Sequence, residues 1–203
     1  MATWRATCGT AKKGLKCIRP SWDTIKEAYE KIDEVYERYN NEAVFFHIFN
    51  IRERDNNSCA LRMSYALNHS GVSIKQELSK PNVRINGSVE QSEVDGYKYI
   101  MGAAGMSDFL NAIWGKADKS FGKQELDNEC IKWLQSHKKN GVIVIRFYYN
   151  EPEFTATGHT TLWYGDKQCL GDYKEVSVSQ YAIRPLTSFF EDNRATKFEF
   201  WEL

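Results

Sequence analysis

The hydrophobic pattern of this chain changes from mainly helical to strand-like at Asn140-Gly141, and that change limits the fold more than any other feature. Before it, apolar residues mostly recur three or four apart, as on one face of a helix. After it, β-branched and aromatic residues gather in short runs bounded by turn residues. Helices first and strands afterwards define an α+β domain, with N-terminal helices packed on an antiparallel sheet. At 203 residues the chain has the length of one large domain, and residues 1–203 are taken as a single unit. Within it, residues 1–18 are expected to form a flexible N-terminal segment and residues 79–97 an excursion from the main core.

Local signals place the elements. Ser21 stands where it caps a helix whose apolar face is Trp22, Ile25, Tyr29, Ile32, Tyr36 and Tyr39. Ala43 to Ile51 is apolar and aromatic enough for a strand, with His47 as a satisfied core histidine. Ser58 or Asn57 caps a helix running from Cys59 to Asn68, and Gly71 ends it in the left-handed conformation. Asn86-Gly87, between Val83-Arg84-Ile85 and Ser88-Val89, signals a short hairpin. Two more helices are expected, one from a Ser107 cap to Trp114 and one from Lys123 to His137, with His69 and His137 exposed at helix ends. Strands are expected at Val142–Tyr149, His159–Trp163, Gln168–Tyr173 and Lys197–Leu203.

Composition removes several function classes. Lys and Arg total 27 and Asp and Glu total 27, so no overall basic field draws a polyanion, and nucleic acid is a poor first partner. No apolar run approaches the 18 or so residues of a membrane span, so no membrane insertion is expected. The first eight residues, Met1 to Cys8, lack the apolar segment of a secretory signal, so export would need another route. Cysteines stand at 8, 17, 59, 130 and 169 with no C-x-x-C pair and no zinc-like spacing to His47, His69, His137 or His159. Neither a metal nor an organic cofactor is expected. Cys8 and Cys17 are read as reduced thiols in the flexible amino terminus.

One cysteine differs by context. A cysteine in the first turn of a helix faces free backbone N–H groups and the positive end of the helix dipole, a setting that favours negative charge on sulfur. Cys59 has this place, entered from a polar loop, and His159 opens a strand 100 residues later behind Thr157 and Gly158. Gly158 would let a substrate backbone approach the imidazole. Lone cysteines and histidines are common and most buried cysteines are inert, so the residues alone favour a packed thiol and an ordinary strand histidine.

Two blocks change that balance. Ser58-Cys59-Ala60-Leu61-Arg62-Met63-Ser64-Tyr65-Ala66-Leu67-Asn68-His69-Ser70-Gly71 resembles the nucleophile helix of the type VI secretion amidase effectors of family four. Ala156-Thr157-Gly158-His159-Thr160-Thr161-Leu162-Trp163 resembles that family's histidine motif. Arg19-Pro20-Ser21-Trp22, Gly141-Val142-Ile143-Val144 and Phe200-Trp201-Glu202-Leu203 extend the likeness over nearly the whole chain. The resemblance implies a papain-like fold of the NlpC type and delivery by type VI secretion components into a neighbouring cell's periplasm. It also implies hydrolysis of the γ-D-glutamyl–diaminopimelate amide in peptidoglycan stem peptides, and a cognate periplasmic immunity protein. Two alternatives remain beside it: a muropeptide-binding module without turnover, and a papain-like protein protease, whose Cys-Gly-Ser-Cys-Trp type signature is absent around Cys59.

The implied catalytic set is Cys59, His159 and Asp172, with Gly158, Trp163 and Ser58 as candidate substrate-binding residues. Strand geometry points to Asp172 on its own terms. With Gly165-Asp166 as a two-residue turn, Tyr164 pairs with Lys167, Trp163 with Gln168, and His159 with Asp172. Opposed residues share a face with Cβ atoms about 5 Å apart, close enough for a carboxylate to orient an imidazole. Asp166, at the turn, lies roughly 20 Å from His159 along an extended strand.

Overall fold

A computed structural model of the chain describes residues 19–35, 41–51, 58–147, 158–171 and 195–203. Helix α1 (Trp22–Val35) starts where the sequence indicates, because the Ser21 hydroxyl accepts from the Thr24 amide at 3.3 Å. Its buried face, Ile25, Tyr29 and Ile32, follows the expected spacing. The segment expected as a strand is instead helix α2 (Asn41–Phe49). Val44, Phe45 and Ile48 are buried at helical spacing beside Ile32, Leu61 and Tyr65, and Asn50 ends the helix in the left-handed region at φ 57°. His47 is exposed on α2, contrary to its expected place in the core.

Helix α3 (Cys59–His69) is the centre of the helical layer, with every residue from Cys59 to Asn68 buried. Its polar side chains are bonded accordingly. The Ser64 hydroxyl accepts from the Ile100 amide at 3.0 Å, and the Asn68 side chain accepts from the Ile74 amide at 3.1 Å and donates to the Lys98 carbonyl at 3.0 Å. The helix stops as expected: Gly71 takes φ 94°, and the Val72 amide donates back to the Leu67 carbonyl at 2.9 Å.

The excursion differs from its sequence signal. A short helix α4 (Ile74–Leu78) leads into a hairpin of β1 (Val89–Gln91) and β2 (Lys98–Ile100), so the turn lies after residue 91 and not at Asn86-Gly87. Asn86 is engaged elsewhere, its backbone and side-chain amides both donating to Asp108 at 2.9 Å. Helix α5 (Ala103–Trp114) begins four residues before Ser107, which is buried inside the helix and bonded to Glu199 and Arg146 and so is not a cap.

The main sheet has five strands in the order β3 (Lys119–Gly122), β7 (Ala195–Glu202), β4 (Gly141–Phe147), β5 (Gly158–Tyr164), β6 (Cys169–Leu170), all antiparallel neighbours. One face, with Val142, Val144, Leu162, Tyr164 and Trp201, packs on α1, α3 and α5. The other face, with Ile143, Ile145, Trp163, Phe198 and Phe200, is covered by Leu126, Cys130 and Leu134. Those three lie on one helical stretch whose pitch changes from 3-10 (Lys123–Glu125) through π (Leu126–Cys130) to helix α6 (Ile131–Ser136). The α+β class is thus as expected, with the sheet sandwiched between two helical layers.

The β5–β6 hairpin departs from the expected register. Trp163 pairs with Leu170 and Tyr164 with Cys169, so the loop holds the four residues 165–168. Gly165 is engaged elsewhere: its amide donates to the Asn140 side chain at 2.8 Å, and a Cβ there would run into the backbone of Lys138 and Lys139. The loop closes at Gln168, which takes φ 52°. The direct pairing of His159 with Asp172 therefore does not follow, and Asp172 itself lies outside the described residues.

Candidate active site

Two distant segments meet at the start of α3. Cys59 is its first residue, and its Sγ lies 4.0 Å from the carbonyl oxygen of Gly158, the residue before His159. Sheet and helix each fix one side of this contact. Gly158 pairs with Arg146 and His159 with Ile145 across β4 and β5. Gly158 has φ 145° and no room for a side chain, because a Cβ would run into the carbonyl of Ile145. Glycine is therefore demanded by the β4 backbone, and what the residue presents to Cys59 is its carbonyl. Cys59 is 8% exposed and His159 9%, so both are largely buried.

The other candidates are placed differently. Trp163 is wholly buried on the α6 side of the sheet, among Ile143, Ile145 and Phe200, and supports the strand from beneath. Ser58 is also buried, its hydroxyl accepting from the Arg62 Nε at 3.1 Å. Asp166 is exposed in the 165–168 loop at the far end of β5 from His159. Thr157 lies outside the described residues, as do Cys8 and Cys17.

Three histidines stand away from the site, and desolvation where each ring packs on its neighbours lowers the imidazole below its ordinary range. His47 is 6.0 Å from the Tyr65 ring, and His69 stacks on Tyr65 at 4.0 Å; for both, Asp95 opposes the lowering. His137 stacks on Trp133 at 4.1 Å, and Glu202 opposes its lowering. Burial also pushes the Cys130 thiol up, in keeping with its place in the core. Among the described residues, no three His, Cys, Asp or Glu side chains gather as a metal ion would require. No described helix is long and apolar enough to cross a membrane.

Beside Cys59 lies a buried cation that sequence reading did not single out, Arg62, whose Nε donates to Ser58. It is 3% exposed and one helical turn from Cys59. Its i,i+4 spacing to Ser58 was the available signal, but the same spacing describes many exposed helix pairs.

The protein is thus an α+β domain that brings a helix-initial cysteine against a histidine-bearing strand. Residues 56–201 match the model of Tae4, described as type VI secretion system amidase effector protein 4, and the chain belongs to that family. Among solved structures it is similar to the effector Tae4 from Salmonella typhimurium in complex with the immunity protein Tai4 from Enterobacter cloacae. That likeness has 21% identity and TM-score 0.55 over 91% of this chain and 99% of the other. It is similar also to Tae4 in the Tae4–Tai4 complex from Enterobacter cloacae, at 22% identity and TM-score 0.55 over 92% and 99%. Tae4 from Enterobacter cloacae alone gives 21% and 0.54 over 93% and 99%. No curated protein matches the chain.

Proposed function

We propose that the chain is a peptidoglycan amidase that cleaves the γ-D-glutamyl–diaminopimelate amide of stem peptides. In this reading it is an antibacterial effector of the papain-like, NlpC type, delivered by type VI secretion into the periplasm of a target cell. A cognate immunity protein blocks it there, as the solved relatives' Tai4 partners suggest. Cys59 attacks the amide carbonyl as a thiolate paired with protonated His159, giving a tetrahedral intermediate and then a thioester. His159 protonates the departing amine and, as general base, activates the water that hydrolyses the thioester. Asp172 orients the imidazole. The Cys59 backbone N–H, at the start of α3, is one oxyanion donor; such a donor contributes about 3 kcal/mol in a transition state. Gly158 lines the approach to His159, while the buried Ser58 and Trp163 hold the elements in place. No metal or organic cofactor takes part in this scheme.

The observation that carries the reading is the 4.0 Å approach of the Cys59 sulfur to the Gly158 carbonyl, which joins two motifs 99 residues apart. The test is mass spectrometry of purified sacculi after incubation with the protein. New diaminopimelate amino termini are expected, and muropeptides left uncut at that amide would refute the assignment.

A further inference from the structure

At Gly158 strand β5 comes closer to β4 than a side chain would allow. A Cβ there would run into the Ile145 carbonyl and stand 3.1 Å from the Arg146 Cα, so the Gly158 backbone rests directly on residues 145 and 146. Where those two residues lie therefore decides where Gly158, and His159 after it, stand against Cys59. On its other side β4 has no regular pairing to hold it at this point. Its register with β7 shifts between Arg146 and Phe147, leaving Thr196 over, and a bulge of this kind disrupts the ladder locally. Side-chain bonds gather at the same residue. The Thr196 hydroxyl donates to the Arg146 carbonyl at 3.2 Å. The Arg146 Nε donates to the Ser107 hydroxyl at 2.8 Å and lies 3.6 Å from the Glu199 carboxylate, while Nη2 donates to Asp108. These acceptors are satisfied without the arginine. Asp108 accepts two bonds from Asn86 at 2.9 Å, and Glu199 accepts from Lys197 at 2.6 Å, from Asn111 at 3.0 Å and from Ser107. The dependence runs the other way: α5 and β7 fix the guanidinium.

We propose that Arg146 is a positioning residue: anchored on α5 and β7, it fixes the β4 backbone beneath Gly158 and thereby the separation of His159 from Cys59. The inference rests on Cys59 and His159 being the reacting pair. Without the guanidinium anchors, the bulge and the tight contact at Gly158 relax together, and His159 moves with its neighbour. Catalysis is sensitive on that scale, since a misplacement of about 1 Å costs roughly a hundredfold. Arg146 acts through the β4 backbone and Gly158.

The test compares Arg146→Met, which keeps the aliphatic stem and removes the donors, with Lys197→Met, which strips a donor from the same cluster and leaves the guanidinium bonds in place. Both are assayed for kcat and KM on soluble muropeptides below their unfolding transitions, with Tm measured alongside. The pH profile of Cys59 alkylation by iodoacetamide is also read, with the modified site located by peptide mass spectrometry. Arg146→Met should lower kcat by roughly tenfold to a hundredfold with KM little changed. It should also move the alkylation profile to higher pH, because a thiolate further from the imidazolium is less stabilised. Lys197→Met should lower Tm and leave kcat and the alkylation profile near those of the parent. An equal kcat loss in the two variants assigns Arg146 a purely structural part and overturns the proposal. So does a parent-like kcat in Arg146→Met, or a kcat loss with an unmoved alkylation profile. Should Arg146→Met not fold, Asp108→Asn, which weakens the same anchor and can still accept from Asn86, is read against the same outcomes. Failure of the underlying reading shows separately, as a Cys59→Ala protein that retains activity.

Discussion

The sulfur of Cys59 lies 4.0 Å from the carbonyl oxygen of Gly158, with the thiol as donor, so the first turn of α3 is held against the strand that continues into His159. The separation between Cys59 and His159 therefore depends on how α3 packs on β5.

Cys59→Ala should fold like the parent and lose sacculus hydrolysis. Alanine suits the first turn of a buried helix, and the thiol contact it removes is long and weak. Muropeptide release is the measurement, with thermal unfolding alongside. Release near the parent rate would move the nucleophile elsewhere.

Gly158→Ala should be a folding defect before it is a catalytic one. The position combines φ 145° with a Cβ site already filled by the β4 backbone, so relief requires β4 and β5 to separate. A loss of about 3 kcal/mol or more is expected in denaturant titration. A stable but inactive variant would show that the glycine serves the substrate and not the sheet.

Asp172→Ala should cripple hydrolysis while Asp166→Ala leaves it nearly intact. Asp166 is exposed in the 165–168 loop, remote from His159, and cannot orient its ring. The reverse ordering, measured as kcat on sacculi, would transfer the orienting role to the loop.

Acid should weaken the fold partly through His137. Burial holds its imidazole below the ordinary range, with Glu202 opposing and Lys139 assisting. The unfolded chain therefore binds the proton more readily, so the stabilisation is fully present above about pH 6.5 and lost as pH falls below it. His137→Phe keeps a ring on Trp133 and should show a smaller drop in Tm between about pH 7.5 and pH 5. Some acid loss should persist, because His47 and His69 are shifted in the same direction. An acid loss identical to the parent's would remove His137 from the account.

Glu199→Gln should destabilise the sheet by about 1–3 kcal/mol. Burial pushes this carboxylate up, but hydrogen bonds from Lys197, Ser107 and Asn111 outweigh it and hold the group below its usual range. Its contribution is present above the ordinary carboxylate range and fades as pH falls through it. The variant should therefore lose less stability than the parent on acidification toward about pH 3. Equal losses would place the acid sensitivity elsewhere.

The parts legible in the sequence were those decided by neighbours in the chain. Helix α3 was readable from its polar entry and the Gly71 stop, and strands β4, β5 and β7 from their β-branched and aromatic runs. The errors arose where a remote partner decided. The run from Ala43 to Ile51 is short enough to suit either period, and it became helical because Val44, Phe45 and Ile48 fit against Leu61 and Tyr65. Asn86 was drawn to Asp108, Ser107 to Glu199, and Gly165 to Asn140, and each bond cancelled a local turn or cap signal. At the candidate site, Cys59 and His159 were visible as motifs. The Arg62–Ser58 bond was not, since spacing alone does not say that the pair is buried.

Strand β7, the last of the described elements, is an interior strand of the sheet, between β3 and β4. A nascent chain that has reached β6 has therefore made Cys59 and His159 but has no neighbour for the inner edge of β4. Trp201, Phe198 and Phe200, which fill both faces of the sheet, are still to come. Cooperative packing must wait for residues 195–202 to leave the ribosome. Loss of that short segment, by early termination or by a protease, should abolish the hydrolase although every candidate catalytic residue is retained.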